Sequence, residues 1–412
     1  MNEQTRRDAR HLLAPVVLGV LLGGFAGCGG SGTVAANGGG VPGTGYAYVV
    51  SQEVPGELHP GAVYQFAIGA DGSLAPLAAA SVPTGTRPVS IASDPGGHYV
   101  YVVNGGDATI SQYRVGSGGL LSPLVPGSIS ISGAILGGTA FTGITVDPSG
   151  RLVYVVERAL DPAPSAMIAQ YSIGSDGALT PLTTPVQLVE AFAGPLVIHP
   201  NGQFAYLSGI TAVPNTSVSQ YSRDASGTLT PLVPPTPSGT TDAVGVYVVP
   251  SGQTVYVLRA CIDVQCDGQI VQYTVGADGT LTSTGNAAIT GGHFNPVAML
   301  TDESGSNAYL LANFMGVDTN QGTVIQYSIN SQGVLAPGSP PSVPVTSGAV
   351  ALASIGPHLY ALSSHAIGQA SGSPSGGNID HFIVGSSGAL NMAGTTALLG
   401  SFPVAMTVVS GH

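Results

Sequence analysis

Apolar and polar positions in this chain follow a short phrase that predicts a strand, a tight turn and a second strand. One copy begins with IAQYSI at 168–173, rich in the β-branched and aromatic residues that strands favour. GSDG at 174–177 is typical of a short hairpin turn, and ALTPL at 178–182 predicts the second strand. The phrase occurs seven times at intervals of 47 to 58 residues, centred on Gln65-Phe66, Gln112-Tyr113, Gln170-Tyr171, Gln220-Tyr221, Gln272-Tyr273, Gln326-Tyr327 and His381-Phe382.

Each repeat contains four candidate strands, lettered a to d in chain order. In the repeat after the first copy they cover 88–92, 99–103, 109–115 and 120–124. Strand b is apolar at nearly every position, as expected when both of its faces are buried. Strand d often carries proline, which cannot donate to a ladder, so we expect d at the outer edge. Self-similarity at this period, with several strands per repeat, predicts a β-propeller.

The two ends of the chain determine the number of blades. Residues 46–50 predict a strand b with no strand a before it, and residues 402–409 predict a strand a with no strand b after it. Together they would complete one blade and close the ring without a gap. Six continuous repeats plus this composite predict an all-β fold over residues 46–412, a seven-bladed β-propeller of four-stranded antiparallel blades.

The connections between strands divide the propeller into two faces. The a–b and c–d turns are short and near-uniform, and they define what we call the turn face. The b–c and d–a connections vary in length and meet on the opposite side, the loop face. Five loop-face segments carry ionisable residues, 51–61, 157–166, 259–268, 313–322 and 363–377. Because variable loops on a rigid frame usually carry binding residues, we expect a site at the loop-face mouth of the central channel.

Residues 1–27 predict an export signal. Three arginines precede an apolar stretch at 12–22 that is too short to span a bilayer comfortably. The stretch leads to FAGC at 25–28, which resembles a bacterial lipobox with Cys28 as the lipidated residue; an ordinary cleaved signal peptide is the alternative. Residues 28–45 combine this cysteine with a Gly/Ser-rich tether. We therefore expect an exported protein of the bacterial cell envelope that contacts the membrane only through lipid.

The cysteine count agrees with export. Three cysteines would leave one odd thiol in an exported protein, unless Cys28 carries lipid. Cys261 and Cys266 then remain as a pair that would close a small loop by a disulfide outside the reducing cytosol. A metal site is the weaker alternative because no third and fourth ligand stand nearby.

Charge narrows the range of partners. The chain has no lysine, and without residues 1–27 six arginines face nineteen acidic residues, a net charge near −13. Nucleic acid and anionic lipid surfaces are therefore disfavoured, since both require a concentrated basic surface. No phosphate loop, metal-ligand spacing or other cofactor motif is present, so no cofactor is expected. We expect a monomer that binds a small molecule, a glycan or a protein at the loop face.

The body resembles the seven-bladed lactonase family, the 6-phosphogluconolactonase-like propellers related to YVTN-type repeats. The resemblance rests on the repeated phrase, on DPSG-type a–b turns such as 147–150, and on YVVN at 101–104. It implies the propeller fold and lactone hydrolysis. Enzymes of that family typically carry Gly-Pro-Arg-His before an a strand, then His-Pro-Asn-Gly, then a b strand that ends near Glu. In this chain the region 194–208 lacks the Arg-His pair, and Ser208 stands where Glu is expected, while His199 falls in an a–b turn on the turn face.

Several other residues at the loop face would suit a hydrolase. A lactonase needs a base that activates water and an arginine that holds a carboxylate or oxyanion. His293 precedes an a strand, and Glu190 or Glu157 with Arg87 or Arg259 would complete such a site. Asp242 lies at an equivalent position, and Glu157 with Arg158 is expected to form an ion pair or a blade contact. The alternative for all of them is solvated loop residues or ion pairs between loops.

Three functions remain open from the sequence. The leading hypothesis is a binding or scaffold module at the loop face, based on the lipobox, the intact blades and the missing Arg-His pair. The alternative is a carboxylic ester hydrolase that acts on a sugar lactone or related lactone, with His293, Arg87 and Glu190 as catalytic residues. A matrix or adhesion component is the third, suggested by the low charge and the Gly/Ser/Thr-rich surface.

Overall fold

The computed structural model describes residues 45–52, 60–131, 139–159, 167–182, 185–187, 192–210, 216–232, 236–237, 243–260, 267–290, 293–314, 322–364, 376–399 and 402–411. These residues form thirty β-strands and no helix. No helix capable of crossing a membrane occurs in this described part of the chain. The predicted signal at 1–27, the tether at 28–44, Cys28, Cys261, Cys266, Glu190 and Asp242 lie outside it, as does the side chain of Arg158.

The strands form seven antiparallel sheets, each of which runs from an innermost strand at the channel to an outermost strand at the rim. In that order, blade 1 contains β30 (Phe402–Ser410), β1 (Gly45–Gln52), β2 (Pro60–Ile68) and β3 (Leu74–Thr86), and blade 2 contains β4 (Pro88–Ser93), β5 (Tyr99–Asn104), β6 (Thr109–Val115) and β7 (Leu121–Ser130). Blade 3 contains β8 (Thr139–Val146), β9 (Leu152–Ala159), β10 (Met167–Ile173), β11 (Leu179–Pro181) and β12 (Val186–Gln187), and blade 4 contains β13 (Phe192–Ile198), β14 (Phe204–Ile210), β15 (Thr216–Arg223), β16 (Leu229–Pro231) and β17 (Thr236–Pro237). Blade 5 contains β18 (Ala243–Val248), β19 (Thr254–Arg259), β20 (Gln269–Val275) and β21 (Leu281–Ile289). Blade 6 contains β22 (Phe294–Thr301), β23 (Asn307–Phe314), β24 (Gly322–Ile329) and β25 (Leu335–Val345), and blade 7 contains β26 (Ala349–Ile355), β27 (His358–Ser364), β28 (Gly376–Val384) and β29 (Leu390–Leu399).

The ring closes as the sequence predicts. Strand β30, from the end of the chain, pairs antiparallel with β1, from its beginning, and the register runs from Gly45 opposite Ser410 to Gln52 opposite Phe402. Each innermost strand contacts the innermost strands of the two neighbouring blades, all the way round the ring. The seven-bladed, all-β architecture is therefore confirmed, including the composite blade that joins the two ends.

Packing between blades explains the pattern of strand b. Val100, Val102 and Val103 on β5 are fully buried, as are Val153 and Val155 on β9, because these strands lie between two neighbouring sheets. Strand d is the outer edge, and its prolines stand there as expected, at Pro76, Pro123, Pro181 and Pro231. The apolar core is therefore spread around the ring, between the blades, and the loop face is held on a rigid frame.

A tyrosine on each strand b joins its blade to the next one. Its hydroxyl donates a hydrogen bond to the carbonyl of the left-handed glycine in the c–d turn of that next blade, at 2.5 to 2.9 Å. Only glycine adopts this backbone conformation without strain, so the turn and the tyrosine are matched. The seven pairs are Tyr48–Gly119, Tyr101–Gly177, Tyr154–Gly227, Tyr206–Gly279, Tyr256–Gly333, Tyr309–Gly388 and Tyr360–Gly72.

We expect Tyr206→Phe to lower the free energy of unfolding by about 1–3 kcal/mol, since it leaves the buried Gly279 carbonyl without its donor. Chemical denaturation measures the change. Tyr64→Phe is the matched control, because the half-buried Tyr64 is not one of the seven tyrosines that bond to the next blade. It should change the free energy of unfolding by less than about 0.5 kcal/mol. Equal effects of the two substitutions would show that these hydroxyls do not join the blades.

Candidate functional site

The innermost strands are irregular at one level near the loop face. Every one of them shows a break in its register with strand b. The breaks lie at Pro88/Ser90, Phe141/Gly143, Ala193/Leu196, Ala243/Gly245, Pro296/Ala298, Ala349/Ala351 and, in blade 1, opposite Val50/Ser51. Such bulges redirect side chains and are common next to functional sites. They mark the level of the channel mouth at which the candidate residues lie.

Arg87 lies immediately before the innermost strand of blade 2. Its backbone is left-handed, with φ 47°, and its carbonyl accepts a hydrogen bond from the Gly105 N–H at 2.9 Å. The preceding residue, Thr86, donates its N–H to the Asp107 carboxylate at 2.9 Å. A non-glycine residue in this conformation is uncommon and is often found at functional positions. The b–c loop of blade 2 therefore holds the Arg87 backbone in place at the channel mouth.

His293 holds the corresponding place before the innermost strand of blade 6 and is also left-handed, with φ 60°. Its N–H donates to the Asp267 carboxylate at 2.7 Å, and its ring Nδ1 lies 3.7 Å from the same carboxylate oxygen. About half of the His293 side chain is exposed (47%). The arrangement is a half-exposed histidine whose Nδ1 faces a carboxylate.

The backbone of Arg259, at the end of β19, lies near the same junction between blades 5 and 6, because a Cβ at Gly268 would lie 3.3 Å from the Arg259 carbonyl and 2.7 Å from the Phe294 carbonyl. The side chain of Arg259 is on the other face of the sheet, towards blade 4, as is that of Val257. The Arg259 side chain donates from Nη1 to Gln269 Oε1 at 2.8 Å. Its buried Nε has no hydrogen-bond partner among the described residues. The Arg259 guanidinium is therefore turned away from this junction, where His293 contacts Asp267.

Glu157 lies elsewhere, in blade 3. It is buried at the end of β9 and pairs in register with Phe141. Phe141 in turn lies near Gly105, the residue that bonds to the Arg87 carbonyl, so Glu157 and Arg87 share the junction between blades 2 and 3. This junction is three blades away from His293 around the ring. The described carboxylate beside His293 is Asp267, a residue that the sequence pattern does not single out.

The turn face holds His199, as the sequence predicts. Its Nδ1 accepts a hydrogen bond from the Asn201 N–H at 3.2 Å, so Nε2 carries the proton and donates to the Gly252 carbonyl at 2.7 Å. The ring is buried and also packs edge-on against Phe204. His199 therefore joins blade 4 to blade 5 and occupies the turn position that Asp94 and Asp147 hold in blades 2 and 3.

The region that lacks the Arg-His pair is packed into the blade. Leu196 is fully buried, and the Ser208 hydroxyl fills the space beside Gly194, where a Cβ would lie 2.3 Å from its oxygen. Among the described residues that hydroxyl has no hydrogen-bond partner. No group of three or more His, Cys, Asp or Glu side chains in the described ranges is placed to hold a metal ion. The contact of His293 with the Asp267 carboxylate is therefore the candidate site that the described residues support best.

The seven sheets and their closure define the class of this protein as a seven-bladed β-propeller. A family model described as "Lactonase, 7-bladed beta-propeller" matches residues 41–313. The chain belongs to this lactonase family, and the resemblance inferred from its repeats is confirmed. No curated protein matches the sequence.

Solved structures agree on the fold. A putative 6-phosphogluconolactonase from Bacteroides fragilis NCTC 9343 is 16% identical, with a TM-score of 0.66 over 89% of this chain and 98% of that one. The periplasmic gluconolactonase of Pseudomonas aeruginosa is also 16% identical, with a TM-score of 0.66 over 90% and 100% of the two chains. A hypothetical selenium-binding protein from Sulfolobus tokodaii is 11% identical, with a TM-score of 0.63 over 90% and 95%. At such identities the likeness shows the fold alone.

Proposed function

We propose that this protein is a lactone hydrolase whose site lies at the loop face, at the junction between blades 5 and 6. Family membership supports the reaction class, and the contact of His293 with Asp267 supplies a base. The observation that carries the proposal is the contact of His293 with the Asp267 carboxylate at an accessible position. The comparisons favour this hydrolase over the binding module that leads the sequence-based hypotheses.

The chemistry requires a base that activates water. His293 takes a proton from water through the ring nitrogen that faces away from Asp267, and the hydroxide attacks the lactone carbonyl. The ester C–O bond then breaks, the proton passes from His293 to the departing ring oxygen, and the product is an open hydroxy acid.

The direct test is pH-stat hydrolysis of a panel of sugar and aliphatic lactones by the purified protein. We expect acid release above the buffer rate for at least one lactone, with saturation kinetics. The same protein after heat unfolding is the control for spontaneous opening of the ring. A panel in which no lactone exceeds that control would contradict the proposed function.

Asp267→Asn tests the role of the carboxylate. The substitution keeps an oxygen that accepts the His293 N–H but removes the negative charge that faces Nδ1. We expect kcat to fall about 10- to 100-fold with little change in KM, because the imidazolium formed during the reaction loses its counter-charge. Asp107→Asn is the matched control, since Asp107 caps the loop-face turn beside Arg87 instead. Equal losses in the two variants would contradict the assignment.

A binding module remains the second candidate. The observation in its favour is the packed region at 194–208, which lacks the Arg-His pair of typical family enzymes. A protein that fails with every lactone but binds a glycan or a sugar acid at the loop face would support this second function.

We also propose that the propeller is exported and anchored by lipid at Cys28, based on the FAGC motif and the tether that follows it. Cys28→Ser should move the protein from the membrane fraction to the soluble fraction of bacterial cells that export it. A variant that is exported and still sediments with membranes would contradict lipid attachment. Labelling of free thiols in the denatured, unreduced protein tests the proposed Cys261–Cys266 disulfide.

A further inference from the structure

Glutamines of the repeated phrase join neighbouring blades, and one blade departs from this rule. At four junctions the glutamine Oε1 accepts the N–H of the leucine that begins strand d in the next blade, at 2.6 to 2.7 Å. These pairs are Gln65–Leu121, Gln112–Leu179, Gln220–Leu281 and Gln326–Leu390. Six of the seven repeats carry glutamine at this place, whereas blade 7 carries His381. A titratable group therefore stands where the other blades use a neutral amide.

His381 forms a buried pair with a second histidine. His358 Nδ1 and His381 Nε2 lie 3.1 Å apart, and the two residues are only 4% and 6% exposed. Tyr360 stacks on the His381 ring, with centroids 5.0 Å apart and an interplanar angle of 20°. Gly72 lies against both rings, because a Cβ there would be 2.3 Å from His358 Nδ1 and 2.4 Å from His381 Nε2. The histidine pair and the left-handed Gly72 form one tightly packed contact.

This contact lies where the two ends of the chain meet. Gly72 belongs to the turn between β2 and β3, in the part of blade 1 that comes from the beginning of the chain. The histidines belong to β27 and β28 of blade 7, near the end of the chain. Tyr360 reinforces the same junction by donating to the Gly72 carbonyl at 2.8 Å. Strands β1 to β3 are therefore held against blade 7 by side-chain and turn contacts, without a direct chain connection.

A hydrogen bond between two imidazoles needs one donor and one acceptor. With both rings neutral, or with a single proton added, one nitrogen of the 3.1 Å contact still accepts. When both rings are protonated, both nitrogens carry hydrogen, the bond is lost and two positive charges face each other in a buried space. The gap cannot widen on the blade 1 side without displacing the Gly72 turn.

We propose that the junction between blades 7 and 1 is a pH-sensitive latch, in which protonation of the His358–His381 pair releases the Gly72 turn and loosens strands β1 to β3. The release would open the ring at this junction, where the strands from the beginning of the chain meet blade 7, and leave the other six junctions closed. Each of those junctions keeps its tyrosine contact, and none has a histidine at the glutamine position of the phrase.

The surroundings of the pair favour its neutral form. Burial lowers the pKa of His358, and burial together with the neighbouring His358 lowers the pKa of His381. The described titratable groups that face the pair are Tyr360 and Asp71, an exposed residue of the Gly72 turn. Asp71 acts to raise both pKa values, and a hydrogen bond with the Ala70 backbone acts to raise that of His358. The facing residues of β1 and β2, such as Val49 and Phe66, are apolar. Because both pKa values are lowered in the folded state, stability is full above the ordinary histidine pKa of about 6.5 and falls as the pH drops below it.

Hydrogen–deuterium exchange of the full protein tests the latch at about pH 7.5 and about pH 5. We expect protection factors in β1 to β3 to fall at least about tenfold on acidification, while blades 3 to 5 change little. His381→Gln restores the residue of the other repeats and should remove most of this loss. His98→Gln is the matched control, because His98 is 63% exposed in blade 2, and it should leave the loss unchanged.

Two exchange results would overturn the proposal. One is an equal loss of protection in wild type and His381→Gln, and the other is a loss spread evenly over all blades. Histidine NMR of the wild type provides a test that does not depend on how the variant folds. Two resonances should titrate clearly below the ordinary histidine range, and ordinary titration of all histidines would also overturn it.

Discussion

Replacing Arg223 with methionine is expected to lower the free energy of unfolding by about 3 kcal/mol, the low end for breaking a buried ion pair. Arg223 Nη2 lies 2.7 Å from the Asp147 carboxylate, and their side chains are 9% and 0% exposed. Its Nε donates to the Tyr154 hydroxyl at 2.7 Å, and its Nη1 donates to the Gly202 carbonyl. Burial raises the pKa of Tyr154 to about 12, so that hydroxyl stays neutral and donates its own proton to the Gly227 carbonyl. One guanidinium thus joins blade 4 to blade 3.

The loss of stability in Arg223→Met has a clear origin. Without Arg223, the Asp147 carboxylate remains buried and charged, although Ser149 and the N–H groups of Arg151 and Leu152 still donate to it. Chemical denaturation measures the change. Arg114→Met is the matched control, because Arg114 is exposed, lies over the Tyr99 ring and donates to the Asp176 carbonyl across the next junction, so it should cost less than about 1 kcal/mol. The double variant with Asp147→Asn should lose less than the sum of the two single variants. A loss below about 1 kcal/mol for Arg223→Met would contradict a structural role for the pair.

The largest functional effect is expected from His293→Asn, which should lower kcat/KM about 10²- to 10⁴-fold, the usual contribution of a general base. Asparagine is chosen because it tolerates the left-handed backbone of residue 293 and cannot take a proton from water. Its backbone N–H can still donate to Asp267. Initial rates with the best lactone of the panel measure the effect.

Two controls separate catalysis from folding in this variant. The midpoint of thermal unfolding should match wild type, since His293 is half exposed and lies outside the apolar core. Added imidazole should restore part of the rate, because a free base can replace the missing one next to bound substrate. A fully active His293→Asn protein would show that the base is another group.

The fold could be predicted from the sequence because the same strand and turn signals occur seven times along the chain. The Gln-Tyr phrase, the glycine turns and the prolines of strand d agree with one another, and Tyr46–Val50 and Phe402–Val409 complete each other across the ends of the chain. Agreement between local signals and global architecture is what makes a fold predictable.

The partners of side chains were harder to predict. Apolar periodicity classes Tyr154 and Tyr206 as core residues, and nothing in the pattern shows that their hydroxyls reach the next blade. Arg223 ends a strand and resembles a solvated charge, yet 76 residues separate it from Asp147. His293 and Glu157 are a base and a carboxylate that could act together, but they lie on blades that are far apart around the ring. Asp267 had one available signal, its place in the ionisable loop 259–268.

The most direct measurement of where the chemistry lies compares two histidines on opposite faces of the ring. Lactone hydrolysis and thermal unfolding are measured for wild type, His293→Asn and His199→Asn. If the chemistry lies at the loop face, His293→Asn loses turnover and keeps its stability. His199→Asn should keep turnover and lose about 1 kcal/mol or more, because its bond to the Gly252 carbonyl is broken. Turnover that survives His293→Asn, or that disappears only in His199→Asn, would contradict the assignment of the site.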